Sequence, residues 1–164
     1  HAHRKFLTAT QQARADIGAT FPLIGVAAIG AVVYADHIPA RADAAPLEAH
    51  HTHFALIPGE QWGDDSPWLA RVASVLAAGR PSVTVLVNGG EIAWEDVSNS
   101  VREQRPVIVV AGSGRTADAL AAAARGETTN RRASPLVATG LLRVIDLDDE
   151  AATWLRVIEG MLAG

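Results

Sequence analysis

Residues 83–118 read VTVLVNGGEIAWEDVSNSVREQRPVIVVAGSGRTAD, and they decide the fold. Two apolar, β-branched runs, Val83–Val87 and Val107–Val110, each end in a glycine loop. Each loop opens onto a segment whose apolar residues recur at helical spacing. The order is strand, glycine loop, helix, strand, glycine loop, helix. Strands that are continuously apolar are expected to be buried on both faces, as in a parallel sheet. Parallel neighbours need a crossover, and Glu91–Gln104 has the length and pattern of a crossover helix. The sequence thus predicts an α/β fold, a Rossmann-like three-layer sandwich with a mostly parallel central sheet, in which both runs are central strands. Ligands of such folds bind outside the carboxyl ends of the strands, and both glycine loops fall there.

The second loop, Gly112-Ser113-Gly114-Arg115-Thr116-Ala117, fits the pattern G-x-G-x-x-[G/A]. It follows a strand and precedes a helix, which is the context that gives the pattern meaning. Glycines admit close approach of a ligand to the backbone, and N–H groups at a helix start attract phosphate. Arg115 adds a charged fork that suits phosphate oxygens. The competing reading is a plain tight turn between strand and helix. The candidate ligand-binding residues are Gly89 and Gly90 of the first loop and Gly112, Ser113, Gly114, Arg115 and Thr116 of the second. Glu91 is a candidate acidic contact to a ribose or a cation.

Three short stretches carry a family resemblance: His51-Thr52-His53-Phe54, Asn88-Gly89-Gly90-Glu91 and Gly112-Ser113-Gly114-Arg115-Thr116-Ala117-Asp118. The last is the most specific. From about Ala15 onward the chain resembles the prokaryotic LSDAT branch of the SLOG superfamily of Rossmann-like domains, related to the cytosolic N-terminal domain of melastatin-type TRP channels. The resemblance implies a small-molecule partner derived from a nucleotide, such as ADP-ribose or an NAD-like molecule, and no certain cofactor. Members of the family carry a glycine-rich strand–helix portion ahead of the first strand seen here. The expectation is therefore a single domain over 1–164 without that portion. His1-Ala2-His3, with no initiator Met, reads as a scar or a cut edge.

A related branch of the superfamily, the cytokinin-activating phosphoribohydrolases, carries P-G-G-x-G-T-x-x-E. Here the matching stretch is Asn88-Gly89-Gly90-Glu91-Ile92-Ala93-Trp94-Glu95-Asp96. The two glycines agree, Ile92-Ala93 replaces Gly-Thr, and the terminal acid is Asp96. Glu95 and Asp96 are the candidate catalytic residues of an enzyme reading, in which one stabilises an oxocarbenium ion or activates water. Losing Gly-Thr removes phosphate-binding backbone and a hydroxyl, so binding ranks above catalysis. The chain is read first as a binding or sensing domain, then as a hydrolase of nucleotide N-glycosidic bonds, then as a structural or oligomeric module with a vestigial pocket. G-x-S-x-G and Walker-type signatures are absent from the sequence.

Bulk properties set the outer bounds. The 164 residues are 49% hydrophobic and 20% charged, which suits one globular core. A net charge of -4 and a pI near 5.8 argue against a nucleic-acid partner, which asks for a basic face. The longest apolar run, Phe21–Tyr34, is too short for a bilayer and is broken by Gly25 and Gly30, so no membrane partner is expected. The absence of cysteine excludes disulfides and thiolate metal sites, and a cytoplasmic location is expected. Nothing in the sequence decides between a monomer and a homo-oligomer.

Outward from the central stretch, residues 4–17 are expected as a helix stopped by Gly18. Phe21–Ala27 and Thr52–Ile57 read as buried strands, and Ala28–Tyr34 as a short edge strand. Ser66-Pro67 marks a helix start, with Trp68, Leu69, Val72, Ala73 and Leu76 as its apolar face. Asp64 and Asp65 just before it are read as acids at the positive end of that helix, or as a cation or ribose site. His51 and His53 share a strand face beside His50. No metal is expected there; one histidine is expected to be buried and hydrogen-bonded. Gly126 ends the helix after the second loop, and Ser134-Pro135 starts a short turn closed by Gly140. Leu141–Leu147 is the last strand. Asp148 or Asp149 is expected to cap a final helix facing inward through Ala151, Leu155, Ile158 and Leu162.

Overall fold

The computed structural model describes residues 14, 16–39, 41–49 and 51–163. The helix expected over residues 4–17 falls outside them except at its end, and His50 lies outside as well. The chain divides into two compact units, His1–Trp68 and Leu69–Gly164. Both are built on parallel strands, and the fold is the Rossmann-like α/β kind with small sheets.

In the first unit β1 (Ile24–Ala28) pairs in parallel with β4 (His53–Ile57), in register from Ile24–His53 to Ala28–Ile57. The expected edge strand over Ala28–Tyr34 is a 3-10 turn, Ile29–Ala31, followed by the two-residue β2 (Val32–Val33), which pairs with β3 (Ala45–Pro46). Ala28, Ala31 and Ile57 form a small core. Beyond the strand ends Gly30 N–H donates to Gly59 O at 2.8 Å. A Cβ on Gly30 would sit 2.8 Å from that same oxygen, so the close approach requires glycine.

The acids before the helix have a structural task. Asp64 Oδ2 accepts the Glu60 and Gln61 N–H groups at 2.9 and 3.0 Å. Arg41 forks onto Asp43 at 2.5 and 2.8 Å, and Trp62 Nε1 donates to Asp43 at 3.1 Å. The Arg41 hydrogen bond holds the Asp43 carboxyl below its usual range, and the two backbone donors do the same for Asp64. The histidines differ from expectation. His53 is exposed, with Nδ1 2.9 Å from Thr52 Oγ1, and the buried Nδ1 of His51 has no hydrogen-bond partner. Among the described residues no group of three His, Cys, Asp or Glu could hold a metal ion.

The helix α1 (Ser66–Ala77) starts where Ser-Pro predicts and stops where Ala78 and Gly79 turn left-handed, at φ 51° and 78°. Its expected apolar face is not the buried one. Ala70 is buried, whereas Trp68, Leu69 and Leu76 are 40–53% exposed. In the second unit β5 (Thr84–Val87), β6 (Val107–Ala111) and β7 (Leu142–Asp146) form a parallel sheet in that order. The connections carry α2 (Glu91–Arg102), then α3 (Arg115–Ala124) and the short α4 (Ala133–Ala138), and α5 (Ala151–Leu162) follows β7.

One face of this sheet presents Leu86, Val107, Val109, Ala111 and Leu142 to Ala93, Val97 and Val101 of α2 and to Ala117, Leu120 and Ala121 of α3. Positions 93, 97 and 101 recur every fourth residue, which is why this stripe of α2 turns inward. Each fully buried Val or Leu contributes roughly 1.5–3 kcal/mol. Ile108, Val110 and Ile145 on the opposite face are buried too, so β6 is covered on both faces as its unbroken apolar run predicts. β5 departs from expectation. It is the edge of this sheet, and Val85 is 44% exposed, because only its Thr84 and Leu86 side faces α2.

Arg105, just before β6, is 4% exposed and anchors that end of the sheet. Its Nε donates to Ser82 Oγ and its Nη2 to Ala70 O and Ser74 Oγ, at 2.7–3.1 Å, while Ser74 in turn donates to Glu103. Burial pushes the guanidinium below its ordinary pKa, against the opposing field of Glu103. The final helix also corrects the sequence. Glu150 occupies the cap position, and Asp149 Oδ2 instead accepts Asp146 N–H at 2.9 Å. Leu155 and Leu162 are exposed, while Trp154, Val157, Ile158 and Met161 are half-buried.

Candidate ligand-binding site

The carboxyl ends of β5 and β6 carry the two glycine loops, and the structure joins them. Asn88 leaves β5 with φ 59°, a left-handed conformation that Asn tolerates better than most residues. Asn88 N–H donates to Ser113 Oγ at 2.8 Å, and Asn88 Nδ2 donates to Ser113 O at 2.8 Å. Ser113 Oγ donates onward to Val110 O at 2.6 Å. In the other direction Ala117 N–H donates to Asn88 O at 2.9 Å and Thr116 N–H to Gly89 O at 3.4 Å. Thr116 Oγ1 donates to Gly90 O at 2.9 Å. The carbonyls of the first loop therefore accept the first-turn donors of α3.

This arrangement changes the role of the helix start. Thr116 and Ala117 N–H groups, expected to face a phosphate, are taken by the neighbouring loop. Gly112 N–H is held by Asp118 Oδ1 at 2.8 Å, and Ser113 N–H by Val110 O at 3.4 Å. The Ser113 and Thr116 hydroxyls fasten the loops together. Gly89, at φ 93°, leaves no room for a side chain, because a Cβ there would meet Ala93 Cβ at 2.6 Å. Gly112 and Gly114 have φ 82° and 103°, which L-residues rarely adopt.

Arg115 is the residue left over. It is exposed, and its guanidinium forms no hydrogen bond or ion pair with any described residue. Its Nη2 lies 3.2 Å from where a Gly90 Cβ would be, so the guanidinium lies against the first glycine loop. Its backbone has φ 51°, a left-handed position that costs a branched or long L-residue roughly 1–2 kcal/mol. Strain of this kind is found at ligand clamps more often than elsewhere.

The acidic candidates are spread along α2. Glu91, in its first turn, is engaged by Arg132 Nη1 in an ion pair. Glu95 is exposed one turn further on, about 6 Å along the axis, on the same side as Glu91. Asp96 is half-buried. The structure brings the two glycine loops and Arg115 together and leaves Glu95 a full turn behind them. Sequence reasoning missed Asn88 and Arg132. Asn before Gly-Gly is a signal for a left-handed turn residue. Arg132 carries no such signal, since it meets Glu91 across 41 residues of chain.

Among the described residues no helix is long and apolar enough to cross a membrane. The family model described as SLOG in TRPM, prokaryote, matches residues 7–156. No curated protein matches the chain.

Proposed function

The chain belongs to the prokaryotic SLOG-in-TRPM family, and from that premise we propose that it binds a nucleotide-derived ligand, of ADP-ribose or NAD-like type, at the carboxyl edge of β5 and β6. The observation that carries this reading is Arg115, an exposed guanidinium without an acceptor among the described residues, set on a strained backbone against a glycine loop. Core packing gives no reason for a cation there. A phosphate oxygen is the acceptor it lacks, and the fork of a guanidinium takes two such oxygens at once. Gly112 is exposed and uncrowded where a side chain would start, which leaves room for a phosphate beside the loop, while Gly89 makes room for Ala93. Ser113 and Thr116 act behind them by holding the two loops in one piece.

A charge-assisted hydrogen bond is worth roughly 1.5–3 kcal/mol, which corresponds to about ten- to hundred-fold in affinity. Calorimetric titration of ADP-ribose into wild type, Arg115→Ala and Gly114→Val tests the site. Both variants are expected to bind at least ten-fold more weakly, with the unliganded melting temperature of Arg115→Ala close to wild type. Equal affinities in all three proteins would remove these loops from the site.

A further inference from the structure

A second guanidinium engages the residue that follows Gly90. Arg132 opens the segment leading into α4, and its N–H and that of Ala133 donate to Asn130 Oδ1 at 2.9 and 3.3 Å, which fixes the backbone there. Its guanidinium carbon lies 4.8 Å from the centre of the Trp94 ring, and Nη1 donates to Glu91 Oε1. The Trp94 ring is half-buried and gives the guanidinium a firm shelf. The Glu91 side chain is 79% exposed, so the acceptor is free to swing into water. Glu91 directly follows Gly90, the residue against which Arg115 lies. Two guanidinium groups thus address consecutive residues of one turn. Among the described residues, one has no acceptor, and the other has a single solvated carboxylate.

We infer that Glu91 is a built-in competitor: it occupies Arg132 in the unliganded protein, and the second anionic group of a ligand anchored at Arg115 displaces it. The inference rests on the proposed role of Arg115 and adds how the second phosphate of the linked pair carried by an ADP-ribose-type ligand is received. Exposed ion pairs are weak, so releasing Glu91 opposes binding only slightly. Arg132 stays on the indole and exchanges a single carboxylate for phosphate oxygens that its fork matches. Glu91 is then not a ribose contact. Its negative charge opposes a diphosphate, and its removal favours one.

The experiment compares ADP and AMP, which differ by one phosphate, as calorimetric probes of wild type, Glu91→Gln, Arg132→Gln and Arg115→Ala. Glu91→Gln is expected to bind ADP several-fold more tightly with AMP unchanged. Arg132→Gln is expected to lose about ten-fold for ADP and to bind AMP as wild type does. Arg115→Ala weakens both probes. If Glu91→Gln binds ADP no better than wild type, or Arg132→Gln loses ADP and AMP equally or not at all, the competitor role is wrong while the Arg115 site stands. If Arg115→Ala changes neither probe, or wild type binds neither, the site itself is misplaced. Thermal melts of the unliganded variants exclude misfolding, and the conservative Arg132→Lys, which keeps charge but loses the fork, is expected to fall between wild type and Arg132→Gln for ADP.

Discussion

Replacing Arg115 by glycine should make the unliganded protein more stable while disabling the proposed site. Arg115 sits at φ 51°, and an L-residue in that region costs roughly 1–2 kcal/mol that glycine does not. Against this, glycine gives up more backbone freedom on folding, about 0.5–1 kcal/mol. The side chain makes no hydrogen bond or ion pair to any described residue, so little contact energy is lost with it. The net expectation is a gain of about 0.5–1 kcal/mol. In a protein of this size that corresponds to a rise of roughly 1–4 °C in melting temperature. Circular dichroism melts at 222 nm of wild type, Arg115→Gly and Arg115→Ala read the effect directly. Alanine keeps the strain and loses the guanidinium, so it should melt with wild type, while glycine should melt above both. Both variants should bind ADP-ribose more weakly. A glycine variant that melts at or below wild type would mean that Arg115 makes a stabilising contact in the free protein, and the argument from strain would fail.

Two further outcomes follow from the same geometry. Ser113→Ala should destabilise the protein by about 1–3 kcal/mol in urea unfolding, because Asn88 N–H loses its acceptor; a loss under about 0.5 kcal/mol would show that water or another group replaces the hydroxyl. The carboxyls of Asp43 and Asp64 are both held below the ordinary value of 3.8, so their ties to Arg41, Trp62 and the loop backbone contribute stability above that value and lose it as pH falls through their lower folded values. Carboxyl-carbon titration by nuclear magnetic resonance should give both midpoints below 3.8, and a midpoint at or above it for either residue would refute the loop contacts.

The sequence reads best where burial is complete and contacts are local. β6 is covered on both faces, and four consecutive β-branched residues leave no other interpretation. β5 has much the same composition but lies at the edge of its sheet, since edge position depends on which distant segments pair and leaves no trace in a five-residue run. α5 misleads for a related reason. It carries two overlapping apolar stripes, one through Leu155 and Leu162 and one through Trp154, Val157 and Met161, and periodicity cannot choose between them. At the candidate site, the glycines and Arg115 are legible because each of the two loops is a short contiguous stretch that follows a strand. Arg132 is not, because only the packing of α2, α3 and α4 brings it to Glu91.

The joining of the two loops shifts the origin of the proposed affinity away from where the motif places it. In a glycine loop that opens a helix, the helix N–H groups ordinarily face the phosphate. Here the N–H groups of Thr116 and Ala117 are spent on Gly89 O and Asn88 O, and those of Gly112 and Ser113 on Asp118 and Val110. The structure gains a rigid pair of loops and gives up most of the backbone cradle. What remains for an anion is side-chain charge, carried by Arg115 and, in the proposed exchange with Glu91, by Arg132. Exposed charges are screened within about 10 Å at 0.1 M salt, whereas buried backbone donors are screened much less. Under the proposed reading, guanidinium groups on an acidic protein hold the ligand at this edge, and its affinity should follow ionic strength more steeply than that of a helix-cradled phosphate.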